Sequence, residues 1–450
     1  MFIRFTVENF LSFEKMQEFS MIVGKTRSKN SHVYNDGKLK LLKFSAIYGA
    51  NASGKSNLVS AIGFARNTIL DKLPKLHTNK YNKCDIENKN KKTYFDFEIK
   101  IDNKYYSYGY EVILNESRII SEWLIELFPS NKENLIFSRN IEEGTFDFNN
   151  YFKNKSTMER LKIYAEDIKD DSSILLLHLM NQNKDNFYKD NSEAIILKKM
   201  FDWFKYKLDI NYPDRAISDY SYFMTKDNID EIIKAISSFK TGITNFNIVN
   251  ITPENISIPK KVLDDIISKL EDNKTSQDIK NGNERSILLR NSNKEFIIFE
   301  MKDSKIEIKT VQFNHGNDDI FFNLSEESNG TIRILDLIEI LLDNTEEKMY
   351  IIDEIDRCLH PQLTFRFVEI FLKLAEKRNI QLLVTSHESR LLDFNLLRRD
   401  EIWFIEKNEK GSSKIYSLEE YNTRFDNKVD KAYLEGRYGG IPLFNNLFSN

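Results

Sequence analysis

Two cysteines in 450 residues, Cys84 and Cys358, stand far apart and without metal-ligand spacing. That excludes a disulfide framework or a cysteine-built zinc site and points to reduced thiols in the cytoplasm. Only 7 prolines and 15 glycines argue against long disordered tracts. No apolar run is long enough to cross a membrane, and the opening MFIRFTVENF lacks a signal-peptide layout. No charge excess exists either: 65 basic against 69 acidic residues give a net −4. No global basic field therefore announces nucleic acid, although a local groove stays open. No heptad pattern runs far enough for a long coiled-coil arm. What is present is 41% hydrophobic and 30% charged residues, enough to bury a core. The length suggests several domains or one domain with a large insertion.

The strongest local signal is Gly49-Ala50-Asn51-Ala52-Ser53-Gly54-Lys55-Ser56, followed by Asn57. It reads G-x-x-x-x-G-K-[ST], the phosphate-gripping P-loop. Residues 41–48 before it suit a buried strand, and residues 57–70 after it have helical spacing without proline. Glycines let backbone wrap a phosphate with no Cβ in the way. The freed N–H groups and the positive helix end attract its charge. Lys55 is expected to reach the β- and γ-phosphates of ATP, and Ser56 to hold Mg²⁺.

The rest of the chain reads as a split nucleotide fold. Residues 2–10 and 16–23 suit two strands. Three strand-like runs at 93–101, 104–114 and 117–128 meet at turn residues, with a short edge piece at 135–137, and predict an antiparallel meander. From 156 to about 240 the spacing is helical, with Trp203 and its aromatic neighbours read as core packing. Residues 241–251 return to strand, 259–270 look helical, 273–283 are polar, and two alternating runs flank Lys302-Asp303. The last third alternates helices (331–342, 362–377, a short one at 390–394) with apolar strands (348–352, 381–385, 401–406), which implies a parallel sheet joined by the P-loop strand. The expected class is α/β with a mixed or parallel core sheet and N-terminal antiparallel strands. The expected domains are a head split over 1–71 and 311–450, a meander at 72–155, and a mostly helical insertion at 156–310.

Three further motifs fit the P-loop. An apolar strand ends in Asp353-Glu354, which predicts Asp353 on Mg²⁺ and Glu354 as general base for the attacking water. A second apolar strand ends at His387, whose neutral imidazole could bond the γ-phosphate. Ser328, Gly330 and Thr331 open a helix whose N-terminus suits an anion. That helix start cannot share the P-loop's side of one γ-phosphate, so it is expected to cap the nucleotide of a partner subunit.

The order P-loop, serine-glycine motif, apolar-Asp-Glu and strand-His resembles the ABC-type ATPase head. IRFTVENFLSF, GANASGKSNL, DEIDRCLHP and VTSH resemble SMC and RecF-type ATPases. Closer still is the resemblance to ATPases of bacterial anti-phage systems, the abortive-infection AbiL and RloA type related to the OLD family. The run KAYLEGRYGGIP at 431–442 looks like the same group. The resemblance covers the first 70 residues and about 310–442. It implies that Ser328, Gly330 and Thr331 stand at the ABC signature, as ESNGT rather than LSGGQ, and that Leu359 and His360 lie in the loop that reads the partner subunit. It implies a homodimer or higher homo-oligomer, ATP hydrolysis, and an effector protein from a neighbouring gene. No glutamine loop is identified. No acidic cluster follows His387, so no nuclease is expected in this chain. An SMC- or RecF-like DNA-repair ATPase is the alternative, and a transporter subunit is disfavoured.

Overall fold

A computed structural model describes residues 1–74, 79–130, 132–149, 151–213, 223, 229–252, 258, 260–271, 285–290, 295–302, 305–317, 319–421 and 429–434. The chain forms two compact units. The first comprises Met1–Pro213, Thr345–Asp356 and Phe367–Asn450, the second Asp214–Asn344 and Arg357–Arg366.

The first unit is built on two large sheets, with a two-stranded one formed by Val33–Asn35 and Lys40–Leu42. Six strands form one of the large sheets in the order Leu208–Asn211, Met349–Ile352, Gln381–Thr385, Phe44–Tyr48, Ile402–Lys407, Ser413–Ser417. The first five are parallel and the last is antiparallel, so the α/β class with a mixed core sheet is observed. Every residue of Phe44–Tyr48, Met349–Ile352 and Gln381–Thr385 is buried. Such near-continuous apolar strands belong in the middle of a parallel sheet covered on both faces. The carboxyl ends of these three strands carry the P-loop, Asp353 and His387.

The second large sheet is antiparallel, in the order Thr145–Asp147, Glu133–Asn140, Arg118–Leu127, Lys104–Ile113, Thr93–Ile101, Phe2–Glu8, Gln17–Ser20. The meander at 93–128 is therefore not a separate insertion. It continues the N-terminal strands, with Phe5 opposite Phe97 and Val7 opposite Phe95. The edge piece at 135–137 is longer than expected, Glu133–Asn140. The P-loop helix Lys55–Leu70 packs Phe64 on Phe10 and Phe95. The buried Gln381 side chain joins the two sheets, accepting from Phe2 N (2.7 Å) and donating to Phe2 O (2.9 Å) and Leu42 O (3.0 Å).

Residues 156–213, the first part of the expected mostly helical insertion at 156–310, are instead tied into this unit. Buried Glu122 accepts from the backbone N–H of Leu176 (2.7 Å) and Leu177 (3.0 Å). Buried Arg139 donates to the carbonyls of Ile168, Asp171 and Ile174. Trp203 is buried, as expected. Leu208–Asn211, inside the stretch read as helical, pairs in parallel with Met349–Ile352 instead. Four residues are too few to show a strand period, and the neighbouring strand decides their conformation.

The second unit contains the antiparallel strands Asn245–Asn250, Lys305–Asn314, Phe296–Lys302 and Arg285–Arg290, in that order, with Phe321–Asn323 also on Lys305–Asn314. The later half of 156–310 is thus organised by a sheet as well as by the helices Ile229–Ser237 and Lys260–Glu271, a correction to the mostly helical reading. The helix Asn329–Leu342 starts two residues earlier than its spacing indicated. The polar stretch 273–283 and residues 435–442 of the C-terminal run lie outside the described residues.

Candidate functional site

The P-loop leaves Phe44–Tyr48 and enters Lys55–Leu70 with no room for side chains at its glycines. A Cβ on Gly49 would sit 2.4 Å from the Ile405 carbonyl oxygen and 2.5 Å from Ser53 Oγ. Gly54, at φ +118°, would meet Ser413 Oγ at 2.5 Å and Ser12 Oγ at 2.7 Å. Ala52 holds φ +62° without being glycine. A non-glycine residue held left-handed stores strain of about 1 kcal/mol or more, a cost usually met at functional sites. Asn51, Ala52 and Ser56 are exposed, whereas Ser53 and Lys55 are buried. Lys55 Nζ folds back onto the carbonyls of Gly49 (2.8 Å) and Ala50 (3.2 Å). Burial pushes its ammonium down to about 8, while Asp353, Asp356 and Glu354 pull it upward.

The acids arrive on the adjoining strands. Asp353 is buried at the end of Met349–Ile352, and its N–H donates to the Asn211 carbonyl (2.9 Å). Thr385, fully buried at the end of Gln381–Thr385, joins both acids. Its hydroxyl donates to Asp353 Oδ1 (2.6 Å) and accepts from the Glu354 N–H (2.8 Å). Glu354 is held there at φ +52°. His387 N–H donates to Asp356 Oδ1 (3.1 Å). Desolvation and the Lys55 charge lower the His387 imidazole, with the nearby acids opposing. The expected Lys55, Asp353, Glu354 and His387 thus converge on one electrostatically coupled site.

Four residues of this site were not singled out from the sequence. Thr385 is one. Ser12 and Ser413 support the loop from behind: Ser413 Oγ donates to Ser53 O (2.5 Å), Ser413 N–H to Ser12 O (2.7 Å), and Asn57 Nδ2 to Ser12 Oγ (2.7 Å). The fourth, Tyr433, comes from the short helix Val429–Leu434. Its ring packs 5.8 Å from Tyr48 and 5.7 Å from Phe404, and burial raises its hydroxyl pKa while the Gly49 backbone opposes. Single hydroxyls carry no spacing pattern. The only sequence signal for Ser12 and Tyr433 was that each falls in a run resembling ABC-type relatives.

Ser328, Gly330 and Thr331 belong to the second unit. Ser328 is exposed and caps Asn329–Leu342, accepting from Thr331 N–H at 3.1 Å. A Cβ on Gly330 would lie 3.0 Å from the Cys358 carbonyl. Leu359 is buried in the same unit, and His360 is exposed with its Nδ1 accepting from Gln362 N–H (3.2 Å).

The donor set fits a magnesium nucleotide. Asp353 carboxylate and Ser56 hydroxyl are the hard oxygen ligands that Mg²⁺ takes sparingly, leaving phosphate oxygens and water to complete its shell. Among the described residues no group of three or more His, Cys, Asp or Glu side chains could hold a metal ion. The cradle at Gly49 and Gly54 and the Lys55 ammonium beside it suit a phosphate chain. Among the described residues no helix is long and apolar enough to cross a membrane.

A sequence profile for the family described as "AAA domain, putative AbiEii toxin, Type IV TA system" matches residues 44–393. No curated protein matches the chain. Among solved structures it is similar to an SMC head bound to the C-terminal winged-helix domain of ScpA, at 14% identity and TM-score 0.42, over 93% of this chain and 99% of that one. A Thermotoga maritima SMC head domain gives 11% and 0.36 over 92% and 98%. A Pyrococcus furiosus Smc head with extended coiled coil, bound to the C-terminal domain of ScpA, gives 16% and 0.37 over 97% and 99%.

Proposed function

Because the chain belongs to the AAA domain family of AbiEii-type, Type IV toxin–antitoxin systems, we propose that it is an ATP-hydrolysing dimeric switch of a phage-defence system that controls a partner effector. The observation that carries the reading is the convergence of Lys55, Asp353, Glu354 and His387 at the carboxyl ends of three neighbouring parallel strands. Lys55 leaves the Gly49 and Ala50 carbonyls and pairs with the β- and γ-phosphates. Ser56 and Asp353 would hold Mg²⁺, which would supply neutralisation of phosphate charge. Glu354 takes a proton from the attacking water as the water oxygen bonds the γ-phosphorus. The bond from the γ-phosphorus to the bridging oxygen breaks, its electron pair stays with ADP, inorganic phosphate forms, and Glu354 returns its proton to the products or solvent. His387, kept neutral by its lowered affinity for a proton, donates one N–H to a γ-phosphate oxygen. Ser328, Gly330 and Thr331 of one subunit cap the nucleotide held by the other, with Leu359 and His360 beside that contact. The exposed serine at the start of a 14-residue helix supports this arrangement.

Glu354→Gln tests the reading. Phosphate release should fall by about a hundredfold or more, ATP should still bind, and light scattering should find an ATP-dependent dimer that persists. Wild-type phosphate release by this variant would remove Glu354 as base. A monomer under saturating ATP would remove the partner role of Ser328. Cells carrying Glu354→Gln should also lose protection in a phage challenge, and retained protection would separate the defence role from hydrolysis.

A further inference from the structure

A cavity of about 820 Å³ opens in the first unit, between the loop through Val23–Asn30 and the hairpin formed by Val33–Asn35 and Lys40–Leu42. That volume is within the usual range for small-molecule sites. Lys25, Arg27, Lys40 and Arg398 line it, and none of the described lining residues is acidic. Arg398 is neutralised by Asp400, which leaves Lys25, Arg27 and Lys40 as three cations without an acid partner, a local departure in a chain of net charge −4. The positive charge is also largely unspent. Lys25, Arg27 and Lys40 are exposed and make no ion pair among the described residues.

Arg398 is built differently and explains why the loop holds its shape. It is 1% exposed, and its Nε and Nη2 chelate Asp400 at 2.8 and 2.6 Å. The remaining donors go to the carbonyls of Thr26 (2.8 Å) and Ser28. The loop N–H groups are engaged as well: Gly24 donates to Asp400 (3.0 Å), and Lys25 and Thr26 to Glu419 (both 3.1 Å to Oε1). Both sides of the loop backbone are therefore satisfied by buried or anchored side chains. The Lys25 and Arg27 side chains are presented to the cavity from a fixed frame.

This place is distinct from the P-loop. Lys40 precedes the strand Phe44–Tyr48, and Arg398 precedes its parallel neighbour Ile402–Lys407. The cavity therefore lies at the amino ends of strands whose carboxyl side carries the nucleotide loop. Five residues of strand separate the two ends by about 15 Å.

We propose that this cavity binds a small polyphosphorylated ligand of nucleotide size, separately from the ATP held by the P-loop. Lysine supplies compact charge, and the free Arg27 guanidinium offers the planar fork that matches phosphate oxygens. The concave shape and limited volume favour a small molecule over an extended nucleic-acid backbone.

Calorimetric titration of inorganic tripolyphosphate into the full chain carrying Lys55→Ala, at low salt, tests the site with the P-loop lysine removed. One saturable event per chain is expected. Lys25→Gln with Arg27→Gln should weaken it by at least about tenfold, and Lys40→Gln alone by about tenfold. Lys38→Gln, on the same hairpin but outside the lining, should leave it unchanged. Circular dichroism melting of each variant checks that these exposed substitutions leave the fold intact. Absence of saturable binding would overturn the proposal. So would an equal loss in Lys38→Gln, which would indicate a diffuse field. Binding of short duplex DNA that disappears in the same variants, with no tripolyphosphate binding, would overturn it in favour of a nucleic-acid surface.

Discussion

Thr385→Val is a near-isosteric change at a fully buried position, so it isolates the hydroxyl. In the wild type that hydroxyl donates to Asp353 Oδ1 (2.6 Å) and accepts from Glu354 N–H (2.8 Å). A hydrogen bond to a charged group contributes about 1.5–3 kcal/mol and a neutral one about 1 kcal/mol. Their joint loss should cost about 3 kcal/mol. For a unit of about 300 residues this lowers a calorimetric Tm by about 5 °C. Thr385→Ser keeps both bonds and removes one methyl, worth about 0.8 kcal/mol or roughly 1 °C. The same bonds hold Glu354 at φ +52°, a conformation that relaxes when its N–H is released. The kcat for phosphate release should therefore fall by about tenfold or more in the valine variant, while the serine variant stays near wild type. Differential scanning calorimetry and a phosphate-release assay read both effects. If the valine and serine variants melt together, or if the valine variant keeps wild-type kcat, Thr385 does not organise the two acids.

Two further outcomes are expected. Without nucleotide, burial holds the Lys55 ammonium at about 8 instead of its ordinary 10.5, and phosphate should restore it. Unbound protein therefore gains stability as pH rises through the window from 8 to 10.5, because the unfolded chain still binds the proton there. ATP affinity moves the other way, falling about tenfold between pH 7 and pH 9. Titrations at pH 8.5 in buffers of different ionisation enthalpy should show proton uptake on ATP binding, and none would refute the burial argument. Gly49→Ala drives a methyl to 2.4 Å from the Ile405 carbonyl on the adjacent strand. It should cost about 1–3 kcal/mol and abolish ATP binding, whereas unchanged binding in a filter assay would mean the cradle is not as tight as its geometry.

Where the physics is local, the sequence was legible. The P-loop strand and helix, the apolar strands ending at Asp353 and Thr385, and the meander through Thr93–Ile101 follow from period, glycine and turn residues within a few positions of one another. The candidate site residues could be picked out because glycine, lysine and paired acids at fixed spacing are rare outside phosphate chemistry. The strand Leu208–Asn211 and the sheet of the second unit were harder, since partners distant in the chain confer their conformation.

The sequence by itself therefore determined which candidate residues stand where: a glycine-rich phosphate cradle, the paired acids Asp353 and Glu354, and His387, each just past the end of a buried strand. The tertiary structure alone decided what holds them. Thr385 clasps Asp353 and Glu354, Ser12 and Ser413 wedge Gly54, and Tyr433 packs on Tyr48 and Phe404. Only folding brings Lys25, Lys40 and Arg398 to one cavity. Hydroxyls and single cations are common and unpatterned in a chain. They acquire meaning only when burial makes each hydrogen bond costly to lose and folding brings residues tens to hundreds of positions apart within 3 Å.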